Sequence, residues 1–584
     1  MVIMKFLLKK CVFFLFAVIP VFSQNSQEQL SLEPYWRQAL GGEVLSLPSY
    51  QAQSAVVALD GGNIKAYSTS GTPMWNFFSG GRISPYVTRS REGTSYFTRT
   101  NGTLIAINRT GRELWRRNLE GPLSARIITG WDSRIFVPTN RKIYCYTASG
   151  NLLWTSVIET PFSITPKLDR EGGIIFALSN NDVYRLDHFG NAYVWKLYNT
   201  PAVLLSIEPG GESSKGVSSR FNNDVSALDA KKHNIAVIYT DGSIEILEYA
   251  EDWFFTAISE VHSVMLPRLP SAPLAAVNMG SNIAVTMSDG RAALVSLYEK
   301  RILWTGNTHI RELINNKVSV EPDTEMIFDE RGIYILSKNG ATGFTHNGER
   351  LWYITLQNTA AVPAFGNDGV LYSGGKDWIL YAYKIEDRVL PERNDIYGPV
   401  PQGAYGMGRP RIIEMIDIPL TEQETRNRLN QINAAVNAGR IGNNESAWTS
   451  FLLTLSAGQY PLQFRLGAMN LLGMIGSQET IPWLINIFNN NKEPVIKAAA
   501  ANAIGSIGVD PQGIAIQAFF YSIINSSTRD DQVLTAIASA TGALCRFSGP
   551  PLSETGIRIL LMISERHQPP AARRQAEREL ATLR

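Results

Sequence analysis

A unit of 39 to 41 residues recurs from Trp36 to Trp195, and looser copies continue to about residue 385. No other feature restricts the fold as tightly. Its clearest copy is Asn101 to Trp115, NGTLIAINRTGRELW: an Asn-Gly pair, an alternating apolar run, a second turn at Thr110-Gly111, and a Trp. Eight turn signals fall in this register: Asp60-Gly61-Gly62, Asn101-Gly102, Asn140-Arg141, Asn181-Asp182, Asp241-Gly242, Asp289-Gly290, Asn339-Gly340 and Gly374-Gly375. Each lies between two short apolar segments. Asn-Gly and Asp-Gly in that setting mark hairpins, because tight two-residue turns need positive φ.

Trp75, Trp115, Trp154, Trp195, Trp253, Trp304 and Trp352 follow the first seven turns by 12 to 15 residues. Gly71, Gly111, Gly150 and Gly348 each stand four residues before such a Trp, and Gly190 stands five before. A four-stranded unit of this length cannot bury both its faces alone, whereas a closed ring of such units can. The spacing therefore predicts a β-propeller. The eighth hairpin lacks its Trp, but Trp36 lies 39 residues ahead of Trp75. An N-terminal strand carrying Trp36 should complete the last blade, giving eight blades, with seven as the alternative count.

The register Ala106-Ile-Asn-Arg-Thr-Gly111-Arg-Glu-Leu-Trp115 resembles the tryptophan-docking repeat of quinoprotein-type, or PQQ-like, eight-bladed propellers. The likeness covers residues 34–385 and is closest in the first four blades. It implies a structural role for the tryptophans, each packing between adjacent blades beside the turn Gly. Enzymes of that family use a vicinal Cys pair and acidic and Asn calcium ligands. This sequence has no Cys-Cys. The resemblance points instead to the non-catalytic branch, which includes an outer-membrane protein assembly lipoprotein. That branch implies a role in assembling envelope proteins.

Composition shifts near Leu390. Residues 386–411 are dense in Pro and Gly and read as a linker. Beyond it, 412–584 shows 3.6-residue periodicity. FRLGAMNLLGMIG (464–476) aligns with IKAAAANAIGSIG (496–508), with looser copies at 533–544 and 571–583. Intervening helices are expected at 479–488 and 513–524, and capping helices near 421–437 and 444–456. Paired helices at this period resemble HEAT-type repeats. Gly473, Gly476, Gly505 and Gly508 are expected at close helix contacts and helix ends, and Glu493-Pro494 and Asp510-Pro511 at helix starts.

The N-terminus has a basic start, an apolar run of about a dozen residues and Ser23-Gln24, the pattern of a cleaved secretory signal over 1–23. The run is shorter than the roughly 20 residues a membrane span needs, and no later run reaches that length. Cys11 precedes the apolar run, so no lipid attachment is expected. The residues 208–234 between the fourth and fifth hairpins, rich in Gly and Ser, read as a surface loop.

A net charge of +2 gives no electrostatic basis for a nucleic-acid partner. The six histidines (His188, His233, His262, His309, His346 and His567) show no metal-ligand spacing, and no nucleophile-elbow or phosphate-loop motif occurs. The Asp-Gly pairs at 241 and 289 fit hairpins better than calcium loops. Cys145 sits where Ala66 and Ala106 sit in neighbouring repeats, which suits a packed thiol, and Cys545 has no neighbouring Cys. Trp131 and Trp378 fall outside the girdle register and are the candidates for a polysaccharide-binding surface. The sequence assigns no catalytic, cofactor-binding or metal residues and no cofactor. Its expectation is an exported, non-enzymatic scaffold, periplasmic or secreted, with envelope proteins as partners. A quinone-dependent oxidoreductase or a polysaccharide-binding module using the propeller funnel is the alternative.

Overall fold

The computed structural model describes residues 33–47, 54–90, 93–130, 133–169, 172–187, 189–207, 232–251, 258–310, 324–328, 332–366, 369–385, 421–441, 445–458, 460–510, 513–525, 530–547 and 552–583. The expected signal (1–23), the linker (386–411), Trp131, Trp253 and His188 lie outside these residues.

Eight four-stranded antiparallel sheets form the first part. Seven are built from consecutive strands, and their outer strands run from Pro73–Phe78 in blade 1 to Arg350–Thr355 in blade 7. Blade 8 takes its three inner strands from Ala364–Phe365, Val370–Gly374 and Ile379–Lys384. Its outer strand is Trp36–Ala39, with Trp36 opposite Ala382. The ring is thus closed by hydrogen bonds between the two ends of the propeller, as the position of Trp36 predicts.

The girdle follows one geometric rule. In the outer strand, each Trp faces a small or apolar residue of the third strand: Ala66–Trp75, Ala106–Trp115 and Cys145–Trp154. A β-bulge comes next to each of these pairs and leaves one extra outer-strand residue (Met74, Leu114, Leu153) unmatched in the ladder. The indole then lies on the third-to-fourth-strand turn of the next blade. Trp75 Nε1 donates to Arg109 O at 2.7 Å, Trp115 Nε1 to Ala148 O at 2.8 Å and Trp36 Nε1 to Thr69 O at 2.8 Å. A Cβ on Gly111 or Gly150 would fall 2.7 Å from the ring, and both have φ near +80°. Only Gly meets both demands.

Trp352 differs for a topological reason. Its next blade is blade 8, where the third and fourth strands come from opposite ends of the propeller and no turn joins them. Trp352 stacks on Phe365 and Tyr334 instead, and its Nε1 has no hydrogen-bond partner among the described residues.

Two expected turns differ in detail. In blade 8 the chain reverses at Gly375–Trp378, not Gly374-Gly375, and Trp378 takes the left-handed conformation (φ 64°). The loop expected over 208–234 ends three residues sooner, because the second strand of blade 5 begins at Lys232.

The second part is helical: α1 (Glu422–Asn437), α2 (Glu445–Ala457), α3 (Leu462–Ile475), α4 (Ile481–Asn490), α5 (Pro494–Ile507), α6 (Ile514–Ile524), α7 (Asp531–Phe547), α8 (Leu552–Ile563) and α9 (Pro570–Leu583). These nine helices make two layers. The four segments aligned in the sequence are α3, α5, α7 and α9, and each packs on the next; α4, α6 and α8 form the other layer. A Cβ on Gly473 would lie 3.1 Å from Ala503 Cα, and one on Gly505 2.8 Å from Ala540 Cα, so these glycines set the close approach of α3 to α5 and of α5 to α7. Gly476 and Gly508 end their helices in the left-handed conformation. Pro494 starts α5 as expected. Asp510 does not start α6; it lies four residues ahead, and its carboxylate accepts from the N–H groups of Ala515 and Ile516.

Candidate interaction surface

Antiparallel strands end alternately on the two faces of a propeller. One face carries the loops from first to second strands and the turns from third to fourth. The other carries the turns from second to third strands and the blade-to-blade connections. The helical array sits on the first of these faces, over the Trp-docking turns of blades 2 and 3.

The contacts are specific. Asn151 Nδ2 donates to Met474 O (3.3 Å) in the last turn of α3, and Arg112 Nη1 to Ala581 O (2.8 Å) in the last turn of α9. Helix C-termini leave four carbonyls without helical partners and carry partial negative charge, so these donors meet both needs. Arg109 Nη2 donates to Ser553 Oγ (2.9 Å) at the start of α8. Gly476 at the end of α3 abuts Thr147, where a Cβ would lie 2.7 Å from the methyl group. Between α1 and α2, the N–H of Ile441 donates to Leu153 O (3.2 Å) on the outer strand of blade 3. Buried apolar side chains run unbroken from Phe136, Leu153 and Trp154 of blade 3 into Ile441, Trp448 and Leu472 of the array.

The axial channel is lined by the first strands of the blades, which neighbour one another around the ring. Arg126, leading into the first strand of blade 3, pairs with Glu325 in the first strand of blade 7 at 2.8 Å. Blades 3 and 7 are opposite in a ring of eight, so this ion pair crosses the channel. Both residues lie at the starts of their strands, and the bar therefore sits at the mouth away from the array. Lys167, near the end of the first strand of blade 4, lies towards the other mouth. Burial pushes its ammonium down to about 8, with no charged partner among the described residues, and the side chain keeps partial exposure.

The residues singled out in the sequence are dispersed. Asp241 and Asp289 serve their own hairpins, accepting from the N–H groups of Ser243 (2.9 Å) and Arg291 (3.1 Å). Hydrogen bonding by Ser243 holds the Asp241 carboxyl below its ordinary value. His309 stacks on Tyr353, His346 lends its carbonyl to Trp304, and His567 lies on the surface beside Glu565. No group of three His, Cys, Asp or Glu among the described residues is placed to hold a metal. Cys145 is buried opposite Trp154, as its repeat position predicts. Cys545 is buried in α7, where desolvation pushes its thiol up to about 12. Trp378 is exposed at its turn in blade 8. No described helix is long and apolar enough to cross a membrane.

Residues 100–243, from the second hairpin to the fifth, match the family model described as outer membrane protein assembly factor BamB. Over these residues the propeller is of the PQQ-like repeat type. Among solved structures, BamB from Moraxella catarrhalis aligns at 13% identity and a TM-score of 0.38, covering 60% of this chain and 99% of that one. Sqt1 from Saccharomyces cerevisiae aligns at 11% identity and a TM-score of 0.42, covering 60% and 97%. The computationally designed protein Ika8 aligns at 11% and 0.42, covering 59% and 98%. No curated protein matches the sequence.

The residues that join propeller to array (Arg109, Arg112, Thr147, Asn151) were not singled out in the sequence. They sit in the repeat's own turns, where only the docked array gives them a distinct role.

Proposed function

We propose that the chain is an exported, non-enzymatic scaffold that binds envelope proteins and takes part in their assembly. The observation that carries this reading is the match of residues 100–243 to the assembly-factor family. The build of the molecule supports it: a rigid ring joined to a stack of paired helices, which we read as HEAT-type, offers two extended surfaces of the kind that bind proteins. In this reading residues 1–23 are a cleaved signal and the mature chain works in the periplasm. The propeller occupies 34–385, the linker 386–411 and the helical repeat domain 412–584. No small-molecule cofactor or metal takes part.

Affinity purification of the tagged mature chain from its native envelope tests the proposal. The expected result is a small set of envelope proteins enriched far above a tag-only control. Recovery of none would overturn it.

A further inference from the structure

The outer strand of blade 1, Pro73–Phe78 (PMWNFF), is one of two outer strands without a charged residue; the other is Leu152–Val157 of blade 3 (LLWTSV). The remaining outer strands each carry at least one, such as Arg116 in blade 2, Lys196 in blade 4 and Arg37 in blade 8. Charge on an edge strand guards against unwanted pairing, so an uncharged edge has either a cover or a use. In blade 3 the cover belongs to the chain itself. Leu153 is the bulge residue, its carbonyl accepts from Ile441 N, and it is 1% exposed. In blade 1 the equivalent bulge residue, Met74, is 53% exposed.

The ladder fixes which backbone groups of that strand are open. Ser79 N donates to Gly62 O, which marks Gly62 and Ser79 as a hydrogen-bonded pair. Alternation then turns Phe77 and Trp75 towards the third strand, and Asn76 and Phe78 outward. The side chains follow the same alternation. Trp75 and Phe77 pack towards blade 2, whereas Met74, Asn76 and Phe78 are exposed. Blade 1 also adjoins blade 2, whose outer strand meets the array at the partly buried Leu114.

We propose that the outer edge of blade 1, at Met74, Asn76 and Phe78, binds an extended segment of a partner protein as an added strand. Its alternate apolar side chains rest on Met74 and Phe78. An open strand edge offers a row of N–H and C=O groups that only another extended backbone matches in register, which is why the occupant is a strand. The inference rests on the scaffold reading and gives it a place.

A photo-crosslinking residue in place of Phe78, in the full chain within its native cells, tests it, with one in place of Tyr298 as the exposed control. The expected product joins this chain to an alternating apolar segment of a different protein. Asn76→Pro removes the outward N–H while sparing the bonds to the third strand, and should lower the yield by about tenfold; Asn76→Ala should leave it within about twofold. Thermal unfolding of both variants verifies that the propeller is intact. An adduct between two copies of this chain, a yield unchanged by Asn76→Pro, or no yield above the Tyr298 control would overturn the proposal. Envelope proteins still recovered by the tagged Asn76→Pro chain would remove the edge and leave the scaffold reading in place.

Discussion

Ile441 reaches from the connector between α1 and α2 to donate its N–H to the carbonyl of Leu153 on the outer strand of blade 3. Through this bond the helical array is fastened to a strand edge of the propeller. The neighbouring Trp-docking turns of blades 2 and 3 then bond the carbonyls in the last turns of α3 and α9. Each turn thus faces two ways, holding an indole of the preceding blade and a helix end of the array.

If the junction is tight, Gly476 is its most sensitive residue, because it ends α3 in the left-handed conformation against Thr147. Gly508 ends α5 in the same way but faces Phe547 of α7. Either residue changed to Ala should cost about 1–2 kcal/mol for the backbone conformation alone. Gly476→Ala should cost more and split the calorimetric unfolding into two transitions, as the array separates from the ring. A single transition with equal losses in the two variants would argue against a tight junction.

The girdle tryptophans should be unequal. Trp115→Phe leaves the carbonyl of Ala148 without its donor, whereas Trp352→Phe removes an N–H that has no partner among the described residues. Denaturant unfolding should show Trp115→Phe to be more costly by about 1–3 kcal/mol, the usual cost of a buried polar group left unpaired. Equal losses would contradict the docking geometry.

The bar across the channel is partly exposed, with side chains 38% and 30% accessible at Arg126 and Glu325. A double-mutant cycle with Arg126→Ala and Glu325→Ala should give a coupling of about 0.2–1 kcal/mol, the range for pairs that water reaches. Added salt should weaken it. A coupling of zero at low salt would show that the two residues do not meet across the axis.

Lys167 gives a pH signature. Its folded value of about 8 lies below the ordinary 10.5, so between these values the unfolded chain holds the extra proton and stability rises with pH. Lys167→Met removes that dependence. At pH 7 the variant should be the more stable of the two by on the order of 1–3 kcal/mol, at about 1.4 kcal/mol per pH unit, and the advantage should fade as the window is crossed. A variant less stable than the parent at pH 7 would mean that the ammonium has a partner.

The ring was legible in the sequence because its information is local and repeated. Hairpin turns, small residues opposite Trp and turn glycines recur at a fixed spacing, and Trp36 at that same spacing placed the closing strand. The glycines of α3 and α5 were legible for the same reason. The junction was not. Arg112 and Asn151 sit in turns like those of other blades, and nothing local distinguishes a turn that caps a helix more than 300 positions away from one that faces water. Nor was the channel bar: Arg126 and Glu325 meet only because eight blades put the third opposite the seventh. Its Pro neighbour points Asp510 to a helix start, whereas the carboxylate reaches over an intervening turn to the N–H groups of α6.

Native mass spectrometry of the chain gently released from its own envelope tests the scaffold account most directly, because one spectrum reads protein partners and small ligands together. The account predicts this chain bound to at least one further polypeptide, with no mass added by a small molecule or metal. A lone chain carrying a quinone-sized adduct or stoichiometric calcium would contradict it and turn attention to the channel.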